Sequence, residues 1–179
     1  MANTNSPNGF TPAYHMSGGT IRPSEFAIAS GTNASIFTGD VVNLSSGLVI
    51  QGTATGAPLG VFAGVEYQAT DGSVVFSNMW TADTATLGSA DAKAYVYADP
   101  DIVYEAQATA TPTQATIGTT NTISTTAGST STGRSAEGVT ATTSSGIATV
   151  VGFVDRPDNS IGQYARVYVI FPASVFGNN

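Results

Sequence analysis

The chain contains no cysteine, only one histidine and few charged residues. Without cysteine it can have no disulfide scaffold, no thiol nucleophile and no cysteine-ligated zinc or iron–sulfur site. Only 9% of the 179 residues are charged, against about 25% in an ordinary soluble domain. This composition also excludes coiled coils and long amphipathic helices, which need many Glu, Lys, Arg and Leu residues.

Positive charges are also scarce. There are 5 Lys and Arg residues against 12 Asp and Glu residues, and the net charge is −7. Five cations cannot build a stripe that follows nucleic-acid phosphates or attracts anionic lipid, so we expect neither nucleic acid nor a membrane as a partner. No stretch approaches the roughly 20 apolar residues of a spanning helix. Residues 1–7 lack the basic and apolar regions of a secretory signal, which predicts synthesis and assembly in the cytoplasm.

The residues that are abundant are small and polar. Ser and Thr make up about a quarter of the chain, and Gly contributes 20 residues. From residue 23 onward, short segments with apolar residues at every second position alternate with turn signals, which predicts an all-β fold, a compact barrel or a sandwich. Asp71–Gly72 indicates a hairpin with a type I′ turn, and Asp99–Pro100–Asp101 indicates another turn. The predicted strands are 25–30, 36–44, 47–51, 59–67, 73–76, 93–98, 102–107, 148–154 and 165–171.

Residues 1–22 are predicted to form an extended N-terminal arm, and residues 23–179 the β domain. Five Pro and Gly residues interrupt regular structure in the arm, which nevertheless carries apolar side chains. Those side chains can dock on the arm's own domain or on a neighbouring subunit, and an extended arm of 16 residues can reach about 50 Å. We expect partner contacts from Pro7, Phe10, Tyr14, His15 and Met16.

Residues 108–146 consist almost wholly of Thr, Ser, Ala and Gly. Disorder is one interpretation of such a composition. Thr is β-branched and suits strands, and Ile117 and Ile123 are spaced like short buried anchors. We therefore predict an ordered excursion with weak strands.

No catalytic or metal-binding motif is evident. His15 is the sole imidazole, and it lies in a Pro/Gly-rich segment that is a poor place for catalytic positioning. The carboxylates form two groups, Asp99 with Asp101 and Asp155 with Asp158, which could hold Ca²⁺ or hydrolyse a glycoside. Each group flanks a proline, so a structural turn is the favoured interpretation. We predict no enzyme activity, no cofactor and no metal, and a pairing of Arg156 with Asp155 or Asp158.

Aromatic residues offer a different kind of site. Trp80, Tyr95, Tyr97 and Tyr104 could stack on a sugar, but aromatics in alternating strands are more often core or interface residues. A glycan-binding module of the fibre or adhesin type, with its site around Trp80 or Asp158, is therefore the alternative function. Tyr168 and Phe171 are candidates for an interface between subunits.

Several short blocks of the sequence resemble one known family. The blocks are residues 1–10 (MANTNSPNGF), 39–42 (GDVV), 59–64 (LGVFAG), 91–97 (DAKAYVY) and 151–159 (VGFVDRPDN). Together they resemble the capsid decoration, or cement, proteins of tailed phages. The resemblance implies a compact β-barrel or β-tulip that binds the major capsid protein on the outer capsid surface, stabilises the lattice, and forms a homo-oligomer, typically a trimer. It also implies a location in the virion and an N-terminal arm laid on the capsid proteins.

Overall fold

The structure is a computed structural model that describes residues 3–142 and 146–177. Residues 1–2, 143–145 and 178–179, which belong to the predicted arm, the Thr/Ser-rich excursion and the end of the predicted domain, lie outside the described residues. The strands are β1 (Thr11–His15), β2 (Ser24–Ile28), β3 (Ile36–Phe37), β4 (Val41–Ser45), β5 (Leu48–Gln51), β6 (Gly60–Gln68), β7 (Val74–Ser77), β8 (Met79–Trp80), β9 (Ala92–Tyr97), β10 (Ile102–Gln107), β11 (Thr120–Ser124), β12 (Gly138–Thr142), β13 (Ala148–Phe153) and β14 (Arg166–Ile170).

The helical content of the described residues is limited to two single turns of 3₁₀-helix, Leu87–Ser89 and Gln114–Thr116. No helix in these ranges has the length and apolarity to span a bilayer. The prediction of an all-β fold is therefore confirmed. The alternation of apolar residues at every second position, rather than at helical spacing, is the cause, because a strand directs alternate side chains into the core.

Five strands close into a barrel in the order β4-β5-β2-β9-β6, and β6 pairs with β4 again to complete the ring. Neighbours are antiparallel except for β2 and β5, which run parallel. β7 extends the far end of β6 as an edge strand. The barrel is filled by its own apolar cluster, whose largest members are Phe62, Trp80, Ile28, Ile36 and Leu59.

The second sheet has the order β1-β10-β14-β13-β11-β12 and its own apolar core. Its far edge curls back, because Ala108 beyond β10 forms a bridge with Val139 of β12. After β1, the chain returns to this sheet directly from the barrel, since β9 of the barrel continues into β10 through the turn at residues 98–101. The C-terminal segment returns to the barrel, where the Val175 amide donates to the Pro58 carbonyl at 2.9 Å.

The extended N-terminal arm is not confirmed. β1 pairs along β10 in the protein's own sheet, and the Phe10 side chain is 1% exposed in the core of that sheet. The interpretation that the segment docks on its own domain is the one the structure supports. Pro12 obscured this strand in the sequence, yet proline is tolerated on an edge strand, and β1 has a neighbour on one side only.

Two predicted turns are present with one change of type. β6 and β7 form the expected hairpin, but only Gly72 has a positive φ (88°). The Gly72 amide donates to the Ala69 carbonyl at 2.9 Å, which is a type I turn followed by a glycine bulge rather than a type I′ turn. Positive φ at both central residues occurs instead at Ser46 (52°) and Gly47 (81°), which join β4 to β5.

The Thr/Ser-rich excursion contributes β11 and its partner β12 to the second sheet. Of its two proposed anchors, Ile123 is buried at 2% exposure, whereas Ile117 is 37% exposed, so the prediction for Ile117 is wrong. The reason is local: Ile117 follows the 3₁₀ turn instead of lying on a strand. Ser135 and Glu137, which the sequence did not single out, are buried beside the barrel.

Gly9 marks the point where the N-terminal segment crosses to the barrel. Its φ is 66°, and an added Cβ would lie 2.6 Å from the Gly39 carbonyl oxygen. Gly18 has a similar φ of 77° but open space around the same position. The two glycines therefore separate the cost of a left-handed conformation from the cost of a steric clash.

We predict that Gly9→Ala destabilises the protein more than Gly18→Ala. The left-handed conformation costs an alanine about 1–2 kcal/mol at either site, and overpacking at Gly9 adds roughly 1–3 kcal/mol. Urea unfolding of both variants measures the difference in the free energy of unfolding. Equal losses would contradict the close approach of Gly9 to Gly39.

Candidate functional site

The outer face of β14 presents a row of half-buried side chains. Arg166, Tyr168 and Ile170 alternate with the core residues Val167 and Val169 along this strand. Because alternate residues of a strand point to opposite faces, the three lie in one line on the outside of the sheet. This row and the neighbouring residues Tyr14, Met16 and Phe176 are called the β14 face below.

The centre of the β14 face is apolar and aromatic. The rings of Tyr14 and Tyr168 meet edge to face with centroids 5.5 Å apart, and Tyr14 remains 43% exposed. Met16 and Phe176 are 58% and 55% exposed. Phe176 stacks on Phe26 of the barrel at a centroid distance of 6.2 Å. The C-terminal segment therefore joins the two lobes of the protein, the barrel and the second sheet, at this surface. Contiguous exposed apolar side chains of this kind are typical of interaction sites.

One end of the β14 face is acidic and contains the single histidine. The His15 Nε2 and Asp99 Oδ2 atoms are 3.0 Å apart, and the His15 Nδ1 and Ser17 Oγ atoms are 3.1 Å apart. Ser17 donates to Asp101 Oδ2 at 3.0 Å. The hydrogen bond from His15, reinforced by the Asp101 amide, lowers the pKa of Asp99 below its ordinary value. His15 is thus held by the turn that joins the barrel to the second sheet.

This cluster has the residue types of a serine nucleophile with a base and a carboxylate, or of a metal site. The ligand atoms of His15, Asp99 and Asp101 lie within 4.8 Å of one another. Both carboxylates are exposed, and Ser17 is shared between His15 and Asp101. A nucleophile needs a hydroxyl committed to its base, so the arrangement does not fit a serine nucleophile.

The opposite end of the β14 face carries two of the five cations. Arg156 Nη2 lies 2.8 Å from Glu105 Oε2, and Arg166 Nη1 lies 3.6 Å from Glu105 Oε1. The predicted pairing of Arg156 with Asp155 or Asp158 is therefore wrong. The physical reason is tertiary: β10 places the Glu105 carboxylate beside β14, and that carboxylate is only 15% exposed and takes both guanidinium groups.

The predicted contact residues fall into three groups. Tyr14, His15, Met16 and Tyr168 come together on the β14 face, although the sequence separates Tyr168 from the others by about 150 positions. Phe10 and Phe171 lie beneath it, with 1% and 3% exposure, and their rings meet at 5.3 Å.

Neither phenylalanine ring is available to a partner in this structure. The predicted roles of Phe10 at a capsid contact and of Phe171 at a subunit interface therefore need correction, since both side chains fill the protein's own core. Pro7 is half-buried beside Arg134 and Ser135 at another surface.

The remaining aromatic candidates are structural. Trp80 is 0% exposed in the barrel core, and Tyr104 is 2% exposed in the core of the second sheet. The Tyr104 hydroxyl donates to the Tyr97 carbonyl at 2.9 Å, and the Tyr95 hydroxyl donates to Glu66 at 2.7 Å. None of these four tyrosine and tryptophan residues forms an open platform for a sugar.

A polar cleft of about 310 Å³ lies around Asp158. Much of its lining is already used internally: Asn159 Nδ2 donates to the carbonyls of Val154 and Arg166 at 2.7 and 2.9 Å. Asn3 makes similar bonds to the carbonyls of Ser160 and Gln163. The described N-terminal residues thus occupy part of this cleft.

Two carboxyl groups are buried together where the Thr/Ser-rich excursion meets the barrel. Asp40 and Glu137 are each 1% exposed. Glu137 Oε2 accepts from the Val41 amide and Asp40 Oδ2 from the Phe37 amide, both at 2.8 Å. The second oxygen of each group has no hydrogen-bond partner among the residues that the structure describes.

Burial, and secondarily the Asp40 charge, raises the pKa of Glu137 to about 9. Burial also raises the pKa of Asp40, although hydrogen bonds from Ser135 and Phe37 act in the opposite direction. Glu137 is therefore protonated near neutral pH. A protonated carboxyl can donate, which suits a pair of groups that otherwise only accept. Since the pair is enclosed, its role is to join the excursion to the barrel.

We predict that the stability of the protein falls as the pH rises between about 4.5 and about 9. The folded state holds the Glu137 proton across this window, whereas the unfolded state has released it. The free energy of unfolding therefore decreases by up to about 1.4 kcal/mol per pH unit. Glu137→Gln, which is neutral at every pH, should flatten this slope. Chemical unfolding at a series of pH values measures it, with the exposed Glu25→Gln as the control. An unchanged slope in Glu137→Gln would contradict the assignment.

Comparisons with protein-family models, with curated proteins and with solved structures find no match for this chain.

Several residues of the site carry no local sequence signal. Ser17, Glu105 and Phe176 join the β14 face only through tertiary contacts, and His15 and Asp99 are 84 positions apart. The one available hint was the presence of apolar residues in a Pro/Gly-rich segment, which pointed to Tyr14 and Met16 but equally to Phe10.

Proposed function

We propose that this protein is a non-enzymatic structural component of a phage virion that binds the major capsid protein on the outer capsid surface and stabilises the lattice. The observation that carries the proposal is the β14 face, where exposed aromatic and aliphatic side chains lie between an acidic and a basic end. The resemblance of five sequence blocks to capsid decoration proteins is the reason for proposing the major capsid protein as the partner.

The composition of this surface supports a protein partner. Tyr and Met are enriched at interfaces, and Tyr brings a large contact area with little loss of conformational freedom. Charged groups at the margin of an apolar patch provide orientation more than affinity. A homo-oligomer would present several copies of the face at once, and avidity would then multiply modest single contacts.

The docked position of residues 7–15 changes the design of a binding test. Removing residues 1–16 would take away β1 and the Phe10 side chain, which is part of the core. Loss of binding by such a truncation would not separate an interface from a folding defect. Point substitutions of exposed side chains are therefore the appropriate variants.

We predict that Tyr14→Ser combined with Met16→Ser reduces capsid binding at least about tenfold, because the substitutions remove two large side chains from the apolar centre of the face. Co-sedimentation with shells of the phage that encodes this chain measures the bound fraction. Leu87→Ser is the matched control, since Leu87 is 42% exposed, close to the 43% of Tyr14, but lies on the barrel lobe. Equal losses in both variants, or no binding by the unaltered protein, would contradict the proposal.

The alternative function is glycan binding by a fibre or adhesin-type module, and the cleft around Asp158 is the observation that favours it. Arg156, Asp158 and Tyr164 line this cleft. A glycan-array signal that free sugar competes away, and that Asp158→Ala abolishes, would favour this alternative over the capsid role. Unchanged binding in Asp158→Ala would locate any sugar site elsewhere.

A further inference from the structure

At the acidic end of the β14 face lies a groove of about 420 Å³. Apolar side chains form its walls, and two carboxylates lie at one end. The walls are Met16, Ile170, Pro172 and Phe176, and the carboxylates are Asp99 and Asp101. This set is called the acidic groove below.

We propose that the acidic groove binds an arginine side chain of the partner protein. The inference rests on the proposed function, because it names the chemical group of the capsid partner that the β14 face recognises. It follows from the charge and shape of the groove.

The charge of the groove is negative. The pKa of Asp99 is lowered by its hydrogen bonds with His15 and the Asp101 amide, so this carboxylate is ionised at neutral pH. The positive side chains at the other end of the face, Arg156 and Arg166, are engaged by Glu105. No Lys or Arg is among the residues that line the groove within the described ranges. A cation entering it therefore meets two carboxylates. Asp99 already contacts His15 Nε2 at 3.0 Å, and the Asp101 side chain contacts the neutral Ser17 hydroxyl.

The existing hydrogen bonds leave the carboxylates able to accept more. Asp99 uses Oδ2 toward His15 and Oδ1 toward the Asp101 amide at 2.9 Å. Asp101 uses Oδ2 toward Ser17. Each ionised carboxylate has about four lone-pair positions, so several of them remain for the donors of a guanidinium group.

The position of the cluster is fixed before any ligand arrives. A Cβ added to Gly19 would approach the His15 ring to 3.0 Å, so this glycine lies directly against the imidazole. The His15 side chain is only 7% exposed. The turn at residues 99–101 is therefore held from one side by His15 and Ser17, and its carboxylates need little reordering to bind.

The shape of the groove favours arginine over Ca²⁺ or a lysine. Ca²⁺ takes six to eight oxygen ligands, and the apolar walls supply none. An arginine stem packs along apolar surface while its planar head binds carboxylates in pairs of hydrogen bonds and stacks on an aromatic ring. Phe176 is 55% exposed and is held in place by Phe26, so it offers such a ring surface.

The test uses the full chain and two small probes, N-acetyl-arginine methylamide and the matching citrulline derivative. Citrulline keeps the stem and the planar head but has no charge. Backbone amide NMR shifts are followed during titration of each probe. We expect saturable shifts at the amides of residues 16, 99, 101, 102 and 176 with the arginine probe, and a response at least about fivefold weaker with citrulline.

Variants locate the binding. Asp101→Asn and Phe176→Leu should each weaken arginine binding at least about threefold, whereas Asp91→Asn, an exposed aspartate on the barrel lobe, should leave it unchanged. Equal binding of citrulline, or an equal effect of Asp91→Asn, would overturn the inference. So would the absence of an arginine response together with saturable shifts from Ca²⁺ or Zn²⁺, or line broadening from Mn²⁺, at the same residues, which would identify a metal site.

The two proposals fail separately. If shells bind the protein but the arginine probe does not shift the groove residues, the further inference is wrong and the proposed function stands. If the probe binds as expected but shells do not, the acidic groove recognises arginine and the capsid is not the partner.

Discussion

The packing of three aromatic rings beneath β14 is the contact on which the second sheet and the β14 face depend. Phe171 lies 5.3 Å from Phe10 and 5.4 Å from Tyr104, measured between ring centroids. One ring comes from the N-terminal segment, one from the middle of the chain and one from the C-terminal segment. Burying them removes large apolar surfaces from water, which is the dominant favourable term in folding.

This packing also determines where the candidate surface is. Because Phe10 is held in the core, the residues that follow it must run along β10 as an edge strand, and the outward side chains of that strand meet those of β14. Tyr14 then contacts Tyr168, and His15 reaches Asp99. The surface is thus assembled from three distant parts of the chain by one apolar contact below it. A protein with few charged residues can in this way form a surface whose centre is apolar and whose charged groups lie at the two ends of the β14 face.

The buried carboxyl pair shows a second way in which the fold joins distant segments. Ser135 and Glu137 belong to a stretch of small polar residues that has few apolar side chains of its own. It is attached to the barrel by a hydrogen bond from the Val41 amide to the Glu137 carboxyl group. Burial raises the pKa of Glu137, so this carboxyl group keeps its proton. The excursion therefore depends on polar contacts that are strong only because water is excluded from them.

The sequence by itself determined the all-β class, most strand positions after residue 23, and the exclusion of thiol chemistry and of a cationic binding surface, because alternation and composition are local properties. Strand 102–107 was predicted with its observed limits, and the turns at residues 71–72 and 99–101 were found. Only the tertiary structure decided that the N-terminal segment is part of the sheet, that Phe10 is buried while Tyr14 is exposed, and that Arg156 pairs with Glu105. Those outcomes depend on which distant strands become neighbours, and the spacing of residues along the chain does not determine which strands pair.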